Sequence, residues 1–258
     1  MATINQLHPK AQIGQNVQIE SFVTIEEDVI IGDNCWIGPC VTIMNGSRIG
    51  NNCKIFPGAV LGAIPQDLKY KGEKSLLEIG NHTIIREYCT LNRGTIASMT
   101  TKIGSHCLIM AYVHVAHDCF IGDHVILANN VTLAGHIEID EFAILGGLTA
   151  VHQFVKIGSH VMISGGSLVM KDVPPYVKAA REPLVYEGIN SVGLRRRGFS
   201  MEQINRIHDI YRYLFIKNTN ISLGTKMLET ELVDSAEKQF ILNFIKNSSR
   251  GIMKGYRR

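Results

Sequence analysis

Aliphatic residues recur at every sixth position along most of this chain. The series covers residues 7–61, resumes over 79–91, and then continues without a break over 103–169. A period of six matches neither the 3.6-residue turn of an α-helix nor the two-residue alternation of a long strand, but it is typical of hexapeptide β-helices. We therefore predict a parallel β-helix in which three hexads close a triangular coil of about 18 residues, with the aliphatic side chains inside.

The six-residue register is interrupted twice before it ends. Polar residues break it over 63–78 and again over 97–102. It stops at Pro174-Pro175, because two adjacent prolines remove two donors from a β-ladder. We predict a β-helix domain over 1–176 with loop insertions near those two breaks.

The last third of the chain follows a different pattern. Apolar residues take helical spacing over 199–215 and 225–247, and Ser200 with Gln203 has the spacing of a capping box. We predict a small C-terminal helical domain over 177–258, which makes the fold class all-β plus α.

Small residues fill two further places of the hexad. The place after the aliphatic residue is often glycine, as at Gly14, Gly32 and Gly50, and we expect these glycines to form corners that need positive φ. If the aliphatic residue is counted as the first place of each hexad, five of the six cysteines fall in the fifth place. None of them forms a C-x-x-C pair, which argues against a zinc ribbon or a redox pair. We expect all six to be small buried residues in a reducing cytoplasm.

Composition and charge narrow the class of protein. The chain is 45% apolar, yet no run approaches the roughly 18 apolar residues of a membrane span, and its first ten residues lack the features of a secretory signal. We expect a cytoplasmic protein without membrane insertion. The net charge is +3, but residues 176–258 hold 15 Lys/Arg against 8 Asp/Glu, so this region has either an anionic partner or a solvated helical surface.

The stretch 114–136 carries more polar chemistry than a repeat requires. Residues 18 apart should stack in adjacent coils about 5 Å apart. His117 is therefore expected beside Gly135, and Asp118 beside His136.

Three chemical interpretations of this cluster remain open, and His114 and His152 are expected close by. In the first, His117 is a general base for a hydroxyl, Asp118 fixes its tautomer, and the N–H of Gly135 faces a developing oxyanion. In the second, the clustered histidines hold zinc. In the third, these are solvent-facing polar residues without a catalytic role.

Seven segments together resemble one family closely. They are QDLKYKGE (66–73), IREYCTLNRGT (85–95), HVAHDC (114–119), ILANNVTLAGH (126–136), GGLTAVHQF (146–154), DVPPY (172–176) and GLRRRGFS (193–200). On these segments, which span most of the chain, it resembles the UDP-N-acetylglucosamine O-acyltransferases of lipid A biosynthesis. The resemblance implies a left-handed coil and a homotrimer with active sites between neighbouring prisms. It implies no cofactor, no metal and no nucleic-acid partner.

The resemblance also implies a reaction and residue roles. An (R)-3-hydroxyacyl group would pass from acyl carrier protein to the 3-hydroxyl of UDP-N-acetylglucosamine, the first step of lipid A synthesis. His117 would be the base, Asp118 its orienter and Gly135 the oxyanion donor. The sugar and its phosphates would be bound by Asp67, Lys69, His114 and His136. The nucleotide side would be bound by His152, Gln153, Asn190 and Arg197. Arg195 and Arg196 would contact the carrier protein, and Gly165 would leave space for a longer acyl chain.

Several alternatives stay open at this point. Val192 stands where the family's N-x-E-G-L motif has glutamate. We therefore expect either that nucleotide recognition differs from that of the family or that the chain is an inactive paralogue. The N-acyltransferase of the same pathway has an extra N-terminal domain, for which a repeat that begins at Leu7 leaves no room. A zinc enzyme of the γ-carbonic-anhydrase type would use the histidine cluster. The acceptor sugar could carry a 3-amine, since both groups could approach His117.

Overall fold

The computed structural model of this chain describes residues 4–217 and 220–255. Very short strands form three sheets of nine, eight and eleven strands. In the repeat region each strand pairs in parallel with the strand three elements later, so the chain visits the three sheets in turn. This is the parallel β-helix that the six-residue period predicts. The first and last three residues of the chain lie outside the described residues.

The strands divide among the three faces of the prism. The first sheet contains β1 (Gln6–Leu7), β4 (Thr24–Ile25), β7 (Thr42–Ile43), β10 (Val60–Ala63), β13 (Thr90–Asn92), β16 (His114–Val115), β19 (Thr132–Leu133), β22 (Ala150–Val151) and β25 (Leu168–Val169). The second contains β2 (Gln12–Ile13), β5 (Ile30–Ile31), β8 (Ser47–Ile49), β11 (Leu76–Ile79), β14 (Thr100–Ile103), β17 (Phe120–Ile121), β20 (Glu138–Ile139) and β23 (Lys156–Ile157). The third contains β3 (Gln18–Ile19), β6 (Trp36–Ile37), β9 (Lys54–Ile55), β12 (Ile84–Ile85), β15 (Leu108–Ile109), β18 (Ile126–Leu127), β21 (Ile144–Leu145), β24 (Met162–Ile163), β26 (Val177–Ala180), β27 (Val185–Ile189) and β28 (Lys254–Gly255).

The pairing register confirms the predicted coil length. His114 pairs with Thr132, so residues 18 apart stack in the regular part of the prism. Two coils are longer, because Val60 pairs with Thr90, and Thr90 with His114. The longest departure is the segment between β10 and β11, residues 64–75, which we call the site loop.

The interior of the prism is filled by the first and fifth places of the hexads, as the pattern predicts. Ile37 and Leu127 in first places, and Cys53 and Val113 in fifth places, are all 0% exposed. Burial of an aliphatic side chain of this size contributes about 2 kcal/mol to stability. The repeat therefore stabilises itself coil by coil.

The expectation that all six cysteines are buried is wrong at one position. Five are buried, but Cys40 is exposed. Cys40 occupies a fourth place of the hexad, where the backbone turns the corner with a φ of 59°. Side chains at that place point away from the interior.

Gly14, Gly32 and Gly50 do not make the corners, so that expectation is wrong for these three glycines. Gly14, Gly32 and Gly50 are absent from the positive-φ glycines, whereas fourth-place residues such as Asn34 turn the corner with a φ of 57°. A Cβ on Gly32 would lie 2.8 Å from the carbonyl carbon of Gly50 in the next coil. Glycine is needed here because adjacent coils approach closely, not because φ is positive.

The C-terminal part extends the third sheet and then becomes helical. β26 and β27 form an antiparallel hairpin, and β28 pairs with β27. The helices are α1 (Ser191–Arg196), α2 (Met201–Tyr211), a π-helix (Arg212–Lys217), α3 (Ile221–Glu231) and α4 (Ala236–Lys246). The capping box predicted from Ser200 and Gln203 is confirmed, since each side chain accepts the other's backbone N–H. Within the described ranges, no helix is long and apolar enough to cross a bilayer.

A buried carboxylate fastens the C-terminal segment to the prism. Asp172 is 0% exposed and accepts hydrogen bonds from the backbone N–H of Lys156 and from the hydroxyl of Ser248. The backbone N–H of Arg250 also donates to it. Residues 248–250 are thereby brought to the corner that carries the site.

Candidate active site

The candidate site lies at one corner of the prism, which we call the catalytic corner. Asp118, His136 and Phe154 occupy it in successive coils, with φ values of 58°, 60° and 68°. The rings of His136 and Phe154 are nearly parallel, and their centroids are 4.6 Å apart. The stacking of residues 18 apart thus builds a column of side chains, as the sequence predicts.

His117 lies one residue before this column and is only 7% exposed. Its Nδ1 is 2.8 Å from Oδ2 of Asp118. Because an ionised carboxylate can only accept, Nδ1 donates the proton and Nε2 of the neutral imidazole keeps its lone pair. The pair can therefore act as a base with its orienting acid.

The Asp118 carboxylate accepts four hydrogen bonds. Oδ1 accepts from the backbone N–H of Thr95 (2.9 Å) and the hydroxyl of Ser98. Oδ2 accepts from the hydroxyl of Thr95 (2.6 Å) and from His117. Burial alone would raise the pKa of Asp118, but these bonds, led by that of Ser98, lower it to about 2. Asp118 is therefore ionised at any physiological pH.

Sequence reasoning missed Thr95 and Ser98 as parts of the site. They lie 23 and 20 residues before Asp118. Thr95 ends one of the family-like segments, which was a usable signal. Ser98 lies in the irregular stretch before β14, where the register gives no rule for which residues meet.

Gly135 lies against the face of the His117 imidazole. A Cβ at this position would be 2.6 Å from Cε1 and 2.8 Å from Nε2 of His117, so only glycine leaves room for the ring. The N–H of Gly135 has no hydrogen-bond partner among the described residues. A free donor beside the base is suited to an oxyanion.

His136 connects the catalytic corner to the site loop. Its Nε2 is 3.8 Å from Oδ2 of Asp118, and its ring packs edge-on against His117 with centroids 5.0 Å apart. Burial lowers the pKa of His136, and the charges of Asp118 and Asp67 oppose that shift. The influence of Asp67 means that the site loop reaches this corner. Within the loop, Asp67 accepts a hydrogen bond from the backbone N–H of Lys69 at 2.9 Å, and Lys69 is exposed.

His114 lies on β16, at the start of the same coil. Its Nδ1 is 2.8 Å from the hydroxyl oxygen of Thr90 on the neighbouring β13. Burial lowers the pKa of His114. The ring is therefore neutral near pH 7.

His152 and Gln153 lie one coil beyond His136, close to the C-terminal segment. Nδ1 of His152 is 3.1 Å from both the Gln153 carbonyl oxygen and Nη2 of Arg250. A cavity of about 330 Å³ opens at this point, lined by Ser98, Asp118, His136, Phe154 and Ser249 among others. Arg250 and Ser249 had no sequence signal, since only the anchoring by Asp172 brings them here.

Asn190 and Arg197 contact a different corner of the prism. This corner carries Phe142 and His160, which follow His136 and Phe154 of the catalytic corner by six residues. Asn190 caps α1 by accepting from the N–H of Gly193, and it donates to the carbonyl oxygen of His160 at 2.9 Å. The Arg197 guanidinium lies 5.1 Å from the Phe142 ring centroid and donates to the Phe142 carbonyl oxygen. Its Nη1 is buried and has no partner in the part of the chain that the structure describes.

The remaining predicted residues lie at the surface or between coils. Arg195 and Arg196 on α1 are exposed, and so is Val192 at the position of the departure from the family motif. A Cβ on Gly165 would be 2.9 Å from the carbonyl oxygen of Gly147. A side chain at 165 would therefore press against the neighbouring coil.

A metal ion is the main chemical alternative for this corner. His117, Asp118 and His136 each offer a ligand atom within 4.8 Å of the others, a separation that zinc could bridge. However, each oxygen of Asp118 already accepts two hydrogen bonds. A carboxylate has about four lone-pair sites, so these bonds leave none for a metal ion. The donor set fits a hydrogen-bonded base better than a zinc ligand.

Comparison with known proteins identifies the family. A model of bacterial transferase hexapeptide repeats matches residues 10–45, 28–63 and 100–135. A model of the second domain of UDP-N-acetylglucosamine O-acyltransferase matches residues 172–253.

Relatives match over nearly the whole chain. The acyl-[acyl-carrier-protein]–UDP-N-acetylglucosamine O-acyltransferase of Sulfurihydrogenibium sp. is 50% identical over 96% of this chain and 94% of its own length. The structure of the UDP-N-acetylglucosamine acyltransferase of Bacteroides fragilis is 49% identical and superimposes with a TM-score of 0.95 over 98% of this chain and all of that one. The structure of LpxA from Acinetobacter baumannii is 42% identical and superimposes with a TM-score of 0.93 over 97% of this chain and 98% of that one. The fold is a left-handed parallel β-helix followed by a helical region, and the chain belongs to the UDP-N-acetylglucosamine O-acyltransferase family.

Proposed function

We propose that this chain transfers an (R)-3-hydroxyacyl group from acyl carrier protein to the 3-hydroxyl of UDP-N-acetylglucosamine, with His117 as the general base. Family membership supports the substrates. The observation that carries the mechanism is the His117–Asp118 hydrogen bond of 2.8 Å, which leaves Nε2 of His117 beside the Gly135 backbone. The same chemistry suits a hydroxyl acceptor, whose proton must be removed as it attacks.

The proposed reaction is a direct acyl transfer. Nε2 of His117 takes the proton of the sugar hydroxyl while the hydroxyl oxygen attacks the thioester carbonyl carbon. The carbonyl oxygen becomes an oxyanion, which accepts a hydrogen bond from the free N–H of Gly135. The C–S bond then breaks, and the departing thiolate takes the proton from His117. Asp118 stays ionised and stabilises the imidazolium throughout.

The proposed binding residues divide by position. Asp67, Lys69, His114 and His136 bind the sugar and its phosphates, and His152 and Gln153 lie next along the corner. Asn190 and Arg197 serve the nucleotide, while the exposed Arg195 and Arg196 contact the acidic carrier protein. Gly165 leaves room for a longer acyl chain. Because the Asn190 side-chain oxygen already accepts a hydrogen bond from the N–H of Gly193, it would bind the nucleotide through its remaining lone pair while still capping α1.

We also propose that the active unit is a homotrimer in the cytoplasm. His117 lies at the catalytic corner, whereas Arg197 packs on Phe142 at another corner. If both serve one substrate molecule, two copies of the chain can supply them from facing corners. A cytoplasmic location suits a chain whose six cysteines are all unpaired.

The assay that tests this function uses purified protein, UDP-N-acetylglucosamine and a panel of (R)-3-hydroxyacyl carrier proteins, read by mass spectrometry. We expect a singly acylated sugar nucleotide with an ester bond, formed without added metal and in the presence of a chelator. A parallel reaction with the 3-amino analogue tests the alternative acceptor. Loss of turnover after chelation, restored by zinc, would instead favour the metal enzyme, and no product with any donor would indicate an inactive paralogue.

A further inference from the structure

The site loop is held at its first end by Asn92, the last residue of β13, and by Arg93, which follows it. The side-chain amide of Asn92 donates to the carbonyl oxygens of Ala63 (3.3 Å) and Ile64 (2.9 Å). The backbone N–H of Arg93 also donates to Ala63, at 3.1 Å. Asn92 is 2% exposed, so these bonds are shielded from water and fix the point at which the loop leaves the prism.

The next residues along the chain hold the other end of the loop and the catalytic acid. The N–H of Gly94 donates to the carbonyl oxygen of Leu76, where the loop returns to β11. Thr95 then donates twice to Asp118. One continuous segment, 92–95, thus contacts both ends of the site loop and the Asp118 carboxylate.

The side chain of Arg93 reaches the middle of the loop. Its Nη1 donates to the carbonyl oxygen of Asn45 at 2.9 Å, which fixes the guanidinium on the prism. The guanidinium carbon lies 5.8 Å from the centroid of the Tyr70 ring, within the range of a cation–π contact. The Tyr70 hydroxyl donates to the Glu73 carbonyl oxygen at 2.9 Å, so Tyr70 is held both at the face of its ring and at its hydroxyl.

Tyr70 is directly tied to the residues proposed to bind the sugar. It follows Lys69 in the chain, and its N–H donates to the Asp67 carbonyl oxygen at 3.0 Å. The Asp67 charge in turn acts on His136 at the catalytic corner. A contact that orders Tyr70 therefore orders the whole turn that carries Asp67 and Lys69.

We propose that Asn92, Arg93 and Gly94 form a clamp on the site loop, and that Arg93 is a positioning residue for the sugar nucleotide, acting through Tyr70. This rests on the proposed function, because it assumes that Asp67 and Lys69 bind the acceptor. The clamp keeps the loop ordered before substrate arrives, which lowers the entropy lost on binding. It acts on binding of the acceptor and not on proton transfer at His117.

The test is Arg93→Met, which keeps much of the side-chain length but removes the charge. We expect the KM for UDP-N-acetylglucosamine to rise about tenfold, from the loss of one cation–π contact and one charge-assisted hydrogen bond. The kcat should stay within about twofold, because Thr95 and its bonds to Asp118 are left in place. A fall in kcat with an unchanged KM would overturn the proposal.

Arg86→Met is the matched control. Arg86 also lies over an aromatic ring, 4.4 Å from the Phe56 centroid, but it follows β12 of the third sheet, and its side-chain contacts among the described residues are with Phe56 and Glu87 and not with the site loop. It should leave the KM unchanged. Arg93→Lys should restore part of the affinity, and Tyr70→Leu should add little to Arg93→Met because both remove the same contact. Equal effects of the Arg86 and Arg93 variants, or additive effects of Arg93 and Tyr70, would refute the clamp.

Trypsin cleavage tests the clamp independently of activity. The site loop contains Lys69, Lys71 and Lys74. We expect cleavage there to be several-fold faster in Arg93→Met than in wild type or Arg86→Met, because the loop opens more often. Unchanged cleavage would contradict the proposal. If the wild-type chain fails to acylate UDP-N-acetylglucosamine, the proposed function fails, yet the cleavage comparison still decides whether Arg93 orders the loop.

Discussion

At the scale of single residues, the site depends on how Asp118 and Gly135 surround one imidazole. Asp118 accepts from Thr95, Ser98 and His117, so its charge is stabilised before any substrate binds. Gly135 provides both the space for the ring and an N–H that pairs with none of the described residues. The sequence predicted these proximities from the 18-residue spacing. That spacing could not predict Thr95 and Ser98, because they lie where the coil is longer than 18 residues.

Replacement of Asp118 by asparagine should remove most of the turnover. An amide lacks the charge that stabilises the imidazolium, and its NH₂ group would face donors, leaving hydrogen bonds unmade. We expect kcat to fall by about 10³-fold or more. Steady-state assays check this, and Asp123→Asn, the same change at an exposed residue that does not line the site cavity, is the control. Activity within tenfold of wild type would show that the charge of Asp118 is dispensable.

Gly135→Ala and Gly122→Ala should separate chemistry from folding. The added methyl group at 135 meets the His117 ring at 2.6 Å, whereas at 122 it meets the backbone nitrogen of Glu141 at 2.7 Å. We expect Gly135→Ala to lower kcat roughly 10²-fold by displacing the base, with a smaller change in Tm. Gly122→Ala should chiefly lower the Tm. The reverse pattern in paired activity and melting measurements would show that the space at Gly135 is structural.

At the scale of elements, the hexad predicted the prism because one aliphatic residue per short strand suffices to define an interior. The same pattern could not assign the glycines, since close approach and positive φ both favour glycine and only coordinates distinguish them. Nor could it predict the β26–β27 hairpin or the π-helix Arg212–Lys217, which belong to no repeat. The division of the chain at residue 176 stays a prediction.

One corner column gives a prediction about pH. His160 stacks between Phe142 (5.0 Å) and Tyr176 (5.7 Å), with Arg197 nearby. Burial, and then the charge of Arg197, lower the pKa of His160 to about 4. An unfolded histidine titrates near 6.5, so this contribution is fully present above about pH 6.5 and is lost as the pH falls towards 4, on the order of 3 kcal/mol.

His160→Phe keeps the stacked column and removes the titrating group. We expect its thermal midpoint to fall less than that of wild type between pH 7 and pH 5, because the unfolded variant gains no proton at this position. Melting curves at both pH values measure this, with His106→Phe, in an exposed part of the same column, as the control. An equal loss of stability in wild type and His160→Phe would contradict the assignment.

At the scale of the whole molecule, the predicted site residues divide between two corners of one prism. The hexad period does not relate the helical region to the corners of the prism, so only the structure shows that Arg197 contacts a different corner from His117. If both corners serve one substrate, the proposed trimer would bring them together from neighbouring copies. Light scattering should therefore give a mass near three times 28.6 kDa.

A mixed assembly tests whether two copies share each site. We expect His117→Ala and Arg197→Met to be nearly inactive alone, the second through loss of nucleotide binding. Co-expressed in equal amounts, they should recover activity at about a quarter of the interfaces, because some sites combine an intact His117 with an intact Arg197 from the neighbouring copy. No recovery in assemblies of verified composition would place both residues in a single chain's site.

The most direct test of His117 as the general base is the turnover of purified His117→Ala with UDP-N-acetylglucosamine and (R)-3-hydroxyacyl carrier protein. His117 lies at a corner outside the aliphatic interior, so the melting temperature should change little. We predict that kcat falls by at least about 10³-fold, because no other group takes the hydroxyl proton. A folded His117→Ala variant that retains more than about a tenth of wild-type turnover would contradict the assignment of His117 as the base.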